Sequence, residues 1–175
     1  MKLFTCTLVT LSGLGRFGRM NTRTLVIAVA LSFTAATSGF SEDPQVGTWK
    51  LNEEKSKIPP KMVRNTKVVF EPEGDKMKTI IDGVDKDGKP TSQRVWVGKR
   101  DGKFYEVKTS KTYDSVAYTV KDKNTSTFEA MKNGKVVMTG TITVVNHGKS
   151  REVTTVGTNK RTGKTVTSTA YYDKQ

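Results

Sequence analysis

The sequence predicts an all-β chain, an antiparallel up-and-down barrel of about eight to ten strands that follows a cleaved leader. Three observations carry this. From Thr66 onward the chain is built of short segments rich in Val, Thr, Ile, Tyr and Phe in which apolar and polar residues alternate. Between them recur glycine turns: Asp87-Gly88-Lys89, Asp101-Gly102-Lys103, Asn133-Gly134-Lys135, His147-Gly148-Lys149 and Thr162-Gly163-Lys164. Asn-Gly and Asp-Gly tolerate the positive φ of tight hairpin turns, so the segments read as a meander. The third observation is that no stretch beyond the leader carries helical periodicity for longer than a turn. Closure into a barrel is preferred over an open two-sheet sandwich because it removes exposed strand edges.

The leader comes first. Residues 25–36 form an apolar run with Arg23 before it and Thr37-Ser38-Gly39 after it, the pattern of a signal peptide and too short to span a membrane comfortably. Met20 stands just ahead of this run, so translation starts at Met20 or, with a two-part leader, at Met1. Cleavage is expected between Ser38 and Glu42, leaving residues 42–175 as a single barrel domain in the periplasm or medium. Cys6 is the one cysteine and falls in the leader, so the mature chain has no disulfide, no thiolate and no cysteine for a lipid anchor.

The opening strand is expected at residues 46–52. Gly47 lets the backbone bend, and Trp49 and Leu51, two apart, share one face while Thr48 and Lys50 take the other. Trp49 reads as a plug for one barrel end, because its ring covers an opening that smaller residues leave wet.

Gly47-Thr48-Trp49-Lys50-Leu51 resembles the opening strand of the intracellular fatty-acid-binding proteins, and Gly-x-Trp is similar to the first lipocalin motif. With Asn52 and the following Lys55-Ser56-Lys57, the segment resembles the start of exported bacterial lipocalin-like proteins, a likeness that runs through most of the mature chain and its Asp-Gly-Lys turns. The fatty-acid-binding likeness is confined to those five residues and the closing Tyr172-Asp173-Lys174. These resemblances imply a calycin-type barrel with a ligand inside. Two departures stand out. Where the fatty-acid-binding family closes with Arg-x-Tyr, whose arginine grips the ligand carboxylate, this chain has Ala170-Tyr171-Tyr172. Its segment from Glu53 to Asn65 contains Pro59-Pro60 and is too short and broken for that family's two lid helices.

The remaining strands are expected near 66–72, 76–83, 92–100, 103–109, 115–121, 125–132, 135–145, 150–157 and 165–173. If Asp101-Gly102 is a two-residue loop, Trp96 lies opposite Val107, Tyr105 covers Gly98, and Arg94 points inward near its strand end. The turn at His147-Gly148 sets Ile142 opposite Val153, Gly140 opposite Thr155 and Val144 opposite Arg151. The turn at Asn133-Gly134 sets Met138 opposite Glu129, on one face with Val136 and Met131. The last strand turns Val166, Ser168, Ala170 and Tyr172 to one side. Small or polar residues at inner positions (Gly140, Thr155, Ser168, Ala170) leave unfilled volume, which inside a barrel is a cavity. Thr139, Thr141, Thr143, Thr165, Thr167 and Thr169 face out, as strand formers on a wet surface.

The chemistry points to binding and away from catalysis. His147 is the one histidine and sits in a turn, and with no cysteine it leaves too few ligands for zinc or copper. The carboxylates are mostly turn residues, and Glu129 alone is placed inward, so no acid pair is available for hydrolysis. No phosphate loop or nucleophile elbow occurs. No cofactor is expected. The formal charge is +13, or +9 once Lys2, Arg16, Arg19 and Arg23 leave with the leader. That charge favours anionic surfaces, yet it is scattered and lacks the aromatic interleaving of nucleic-acid binders. The candidate ligand contacts are Arg94, Trp96, Tyr105, Tyr118, Glu129, Met138, Ile142, Arg151 and Tyr172. Arg94 or Arg151 stands in for the missing carboxylate anchor, or else both arginines, being at strand ends, reach water or pair with Glu129 or Glu152. The reading is an exported, monomeric, non-enzymatic protein holding a small apolar or amphipathic ligand. The alternative is a filled barrel whose basic exterior binds anionic envelope polymers or a protein partner.

Overall fold

Ten strands follow one another around a closed antiparallel barrel, each paired with its sequence neighbours and the last with the first. They are β1 (Gly47–Lys57), β2 (Arg64–Glu73), β3 (Lys76–Val84), β4 (Arg94–Gly98), β5 (Asp101–Lys108), β6 (Ser115–Val120), β7 (Thr125–Lys132), β8 (Lys135–Val145), β9 (Ser150–Thr158) and β10 (Thr165–Lys174). The computed structural model describes residues 43–60, 62–158 and 162–175. The leader, its start at Met1 or Met20 and its cleavage point lie outside the described residues. Among those described, the one helical piece is a three-residue 3-10 turn, Asn146–Gly148.

The alternation read from the sequence decides the faces. In β1, Trp49 and Leu51 are buried and Lys50 is exposed. Trp49 is fully covered and its Nε1–H donates to the Gln45 carbonyl (2.9 Å), while the Gln45 amide donates to the Asn124 carbonyl (3.2 Å) and ties this plug to the β6–β7 turn. β1 continues past its expected end at Asn52 to Lys57. Its pairing with β10 is interrupted between these two residues. There the Ser56 hydroxyl donates to the Asn52 carbonyl (2.6 Å) and accepts from the Tyr171 N–H (2.9 Å), so a side chain bridges the gap in the ladder.

The registers around β4–β5 and β8–β9 are those the turns predict. Trp96 lies opposite Val107, and Ile142, Gly140 and Val144 lie opposite Val153, Thr155 and Arg151. Asp101 and Gly102 fall inside β5 rather than forming its loop; Gly102, at φ 81°, marks an irregularity where β5 pairs with β6.

The β7–β8 hairpin corrects one expectation. Lys132 pairs Lys135 and Met131 pairs Val136, but the next pair is Ala130 with Met138, followed by Glu129 with Thr139 and Phe128 with Gly140. The extra residue, Val137, is a β-bulge, and a one-residue slip exchanges the faces of everything beyond it. Met138 stays inward, while Glu129 is exposed on the outer wall and Val136 is half exposed. Phe128 turns inward instead and covers Gly140, where an added Cβ would lie 2.4 Å from the Phe128 ring. Tyr105 does the same over Gly98. In both places an aromatic ring occupies the space a strand side chain would take.

Candidate functional site

Above the aromatic floor the barrel is not filled. A cavity of about 280 Å³ runs from the level of Arg151 and Tyr172 to the other end. Its small-residue wall comes from the last two strands, where Thr155, Ser168 and Ala170 face inward, with Val153, Ile142, Met138 and Phe128 beside them. At the far end the β1–β2 connection contributes Ile58, Met62 and Val63, and the β5–β6 connection contributes Thr112 and Tyr113. These loops form the mouth. Val63, 47% exposed, stands at its rim.

The floor is made by strand starts and ends that alternation drives inward. Trp49 in β1, Phe70 in β2 and Tyr172 in β10 pack together, with Trp96 in β4 set edge-on to Tyr118 at a centroid distance of 4.6 Å. Tyr118 also meets Phe70 edge-on at 6.1 Å and Phe128 at 5.9 Å.

Two guanidinium groups line the cavity, one at each end. Arg94, the first residue of β4, sits at the mouth. Its Nη2 donates to the Asn65 side-chain carbonyl (2.6 Å) and its Nη1 to the Tyr113 hydroxyl (3.3 Å), leaving Nε unpaired. Arg151, the second residue of β9, sits at the floor and is only 2% exposed. Its guanidinium lies 4.8 Å from the Tyr172 ring, 4.9 Å from Trp49 and 5.2 Å from Phe70, and its Nε and Nη1 have no hydrogen-bond partner. Burial lowers its pKa to about 10, against the opposing influence of Tyr172 and Tyr118, so it is charged at neutral pH. Burial likewise pushes the Tyr118 and Tyr172 phenols upward, and both stay protonated there.

Among the described residues no acid lines the cavity. Among the described residues neither arginine pairs with a carboxylate. The partners the sequence suggested are elsewhere: Glu129 is exposed on the outer wall, and Glu152, also outside, lies across the β9–β10 ladder from Tyr171, whose phenol it holds above its ordinary pKa. Nor does Arg151 reach water as strand-end arginines commonly do.

Of the nine predicted contacts, Arg94, Tyr118, Met138, Ile142, Arg151 and Tyr172 meet around one cavity. Three do not. Trp96 is core, its Nε1–H bound to the Val116 carbonyl at 3.0 Å. Tyr105 is spent on Gly98, and its hydroxyl turns away to Asp101 (3.2 Å). Glu129 is displaced by the Val137 bulge. The residues missed are Phe128, which the unrecognised bulge hid although Gly140 already asked for an aromatic cover, and Asn65 and Tyr113, which lie near strand ends and in loops where alternation carries no signal. Among the described residues no three His, Cys, Asp or Glu side chains gather into a metal-binding group.

No protein-family model matches the chain, and no curated protein matches it. The barrel geometry therefore carries the functional reading.

Proposed function

We propose that this chain is an exported, non-enzymatic binding protein, lipocalin-like in kind, that holds a small apolar or amphipathic molecule inside its barrel. The observation that carries this is the unfilled interior: a cavity of about 280 Å³ walled by Met138, Ile142, Val153 and Ala170 in a barrel otherwise plugged by close-packed aromatic residues. Apolar side chains facing a void lose the dispersion contacts a filled core would give them, and a ligand restores those contacts.

Native mass spectrometry of the protein purified without detergent, followed by organic extraction, tests this. The expected result is a discrete added mass that extracts as an apolar or amphipathic compound. Substituting Ala170→Phe or Ser168→Phe is expected to abolish both the added mass and the binding of an apolar fluorescent probe while circular dichroism stays that of a β-barrel. An unliganded mass together with no probe binding would move the reading to the basic exterior, with an anionic envelope polymer or a protein as partner.

A further inference from the structure

We infer that the ligand is a single-chain amphiphile with a mono-anionic head, a carboxylate in its simplest form, which enters head first and lodges the head on Arg151 at the closed end while its tail runs toward the mouth. This rests on the reading of the barrel as a ligand holder and names the class of ligand.

The argument begins with charge. A guanidinium taken out of water loses hydration worth on the order of several kcal/mol, and a structure that keeps one buried normally supplies a carboxylate and hydrogen-bond acceptors to compensate. Arg151 is 2% exposed, lines the cavity, and has Nε and Nη1 unpartnered. Three ring faces lie against it. They attract the cation but accept none of its N–H groups in the plane of the guanidinium. An anionic oxygen in the cavity supplies what is missing, a charge-assisted hydrogen bond in surroundings less polarisable than water.

The neighbours fit the same head group. Tyr118 and Tyr172 both line the cavity and both lie within electrostatic reach of Arg151, and as protonated phenols each has an O–H to donate. One cation and two hydroxyl donors suit a single carboxylate. The wall between floor and mouth then carries Phe128, Met138, Ile142 and Val153, which suits an aliphatic tail. Orientation follows from the contrast with the mouth, where Arg94 already donates to Asn65 and Tyr113. The larger unmet demand is at the closed end, where two guanidinium nitrogens lack a partner against one at the mouth.

The test compares decanoate with decanol, equal in chain length and different in charge, by isothermal titration at neutral pH below their aggregation limits. Wild type is expected to prefer decanoate by about 10-fold or more, as a hydrogen bond to a charged group implies. Arg151→Met is expected to lose the preference, with decanoate affinity falling about 10-fold or more further than decanol affinity. A second measurement needs wild type alone: carboxyl-13C-labelled decanoate, titrated by NMR in the complex, is expected to stay ionised well below the pH at which it protonates in water, because its head lies beside a buried cation. Equal binding of acid and alcohol, a preference that survives Arg151→Met, or a bound carboxylate that titrates as it does in water would overturn the head-in assignment while leaving the cavity reading intact. Failure of both probes to bind wild type would overturn both.

Discussion

Arg94 and Arg151 line one cavity from opposite ends, and their surroundings differ in kind. At the mouth, loop and strand-end residues close around Arg94 with acceptors, Asn65 and Tyr113, so the guanidinium ties β2, β4 and the β5–β6 connection together. At the floor, Arg151 stands among ring faces with two nitrogens unpartnered. Residue type is the same and strand position is similar. What separates them is how far the protein itself supplies the oxygen atoms: two to Arg94, whose Nε alone stays unpaired, and none to Arg151. A cation that the fold largely satisfies serves the fold, and one to which it gives no oxygen at all is held for something else, at a cost in stability.

The largest expected effect sharpens this contrast from the floor. Arg151→Met should remove the preference for an acid over an alcohol, a change of about 10-fold or more. The same substitution at the mouth, Arg94→Met, should leave that preference within about 3-fold and instead destabilise the protein by about 1–2 kcal/mol in urea denaturation, since it strands Asn65 and Tyr113. Asn65→Ala combined with Arg94→Met should cost less than the sum of the two, because both break one hydrogen bond.

An intermediate effect comes from pH. Burial lowers the Arg151 pKa to about 10. A cation with a depressed pKa in the folded state penalises the fold fully below that pKa, and the penalty lifts as pH rises above about 10 toward the ordinary arginine range. Decanoate affinity should accordingly hold level through neutral and mildly alkaline pH and fall above about 10, whereas decanol affinity should not follow that fall; titrations across this range check both. The smallest effect belongs to Glu129. It is exposed on the outer wall, so Glu129→Gln should change stability by less than about 0.5 kcal/mol and leave both affinities as they are.

Most of the barrel was legible because hairpin turns propagate register along whole strands. Trp96 opposite Val107 and Val144 opposite Arg151 follow from counting outward from Asp101-Gly102 and His147-Gly148. Counting fails where a bulge intervenes, and Val137 shifted β7 by one residue, exchanging Glu129 for Phe128 at the inner face. Alternation cannot announce a bulge, since both registers of β7 present plausible strands; only the need of Gly140 for an aromatic cover distinguishes them. The inward direction of Arg94 and Arg151 was readable, but their difference was not. It depends on Asn65 and Tyr113 reaching Arg94, and on Glu152 facing out toward Tyr171, relations between distant elements that no local pattern encodes.

The most direct test is the unfolding free energy of wild type and Arg151→Met, each measured by urea denaturation with and without decanoate. If Arg151 is a cation kept incomplete for an anionic ligand, the ligand-free variant should be more stable than wild type by about 1–2 kcal/mol, and decanoate should stabilise wild type far more than the variant. A ligand-free variant less stable than wild type, stabilised by decanoate to the same degree, would contradict the account and make Arg151 a structural plug for the barrel floor.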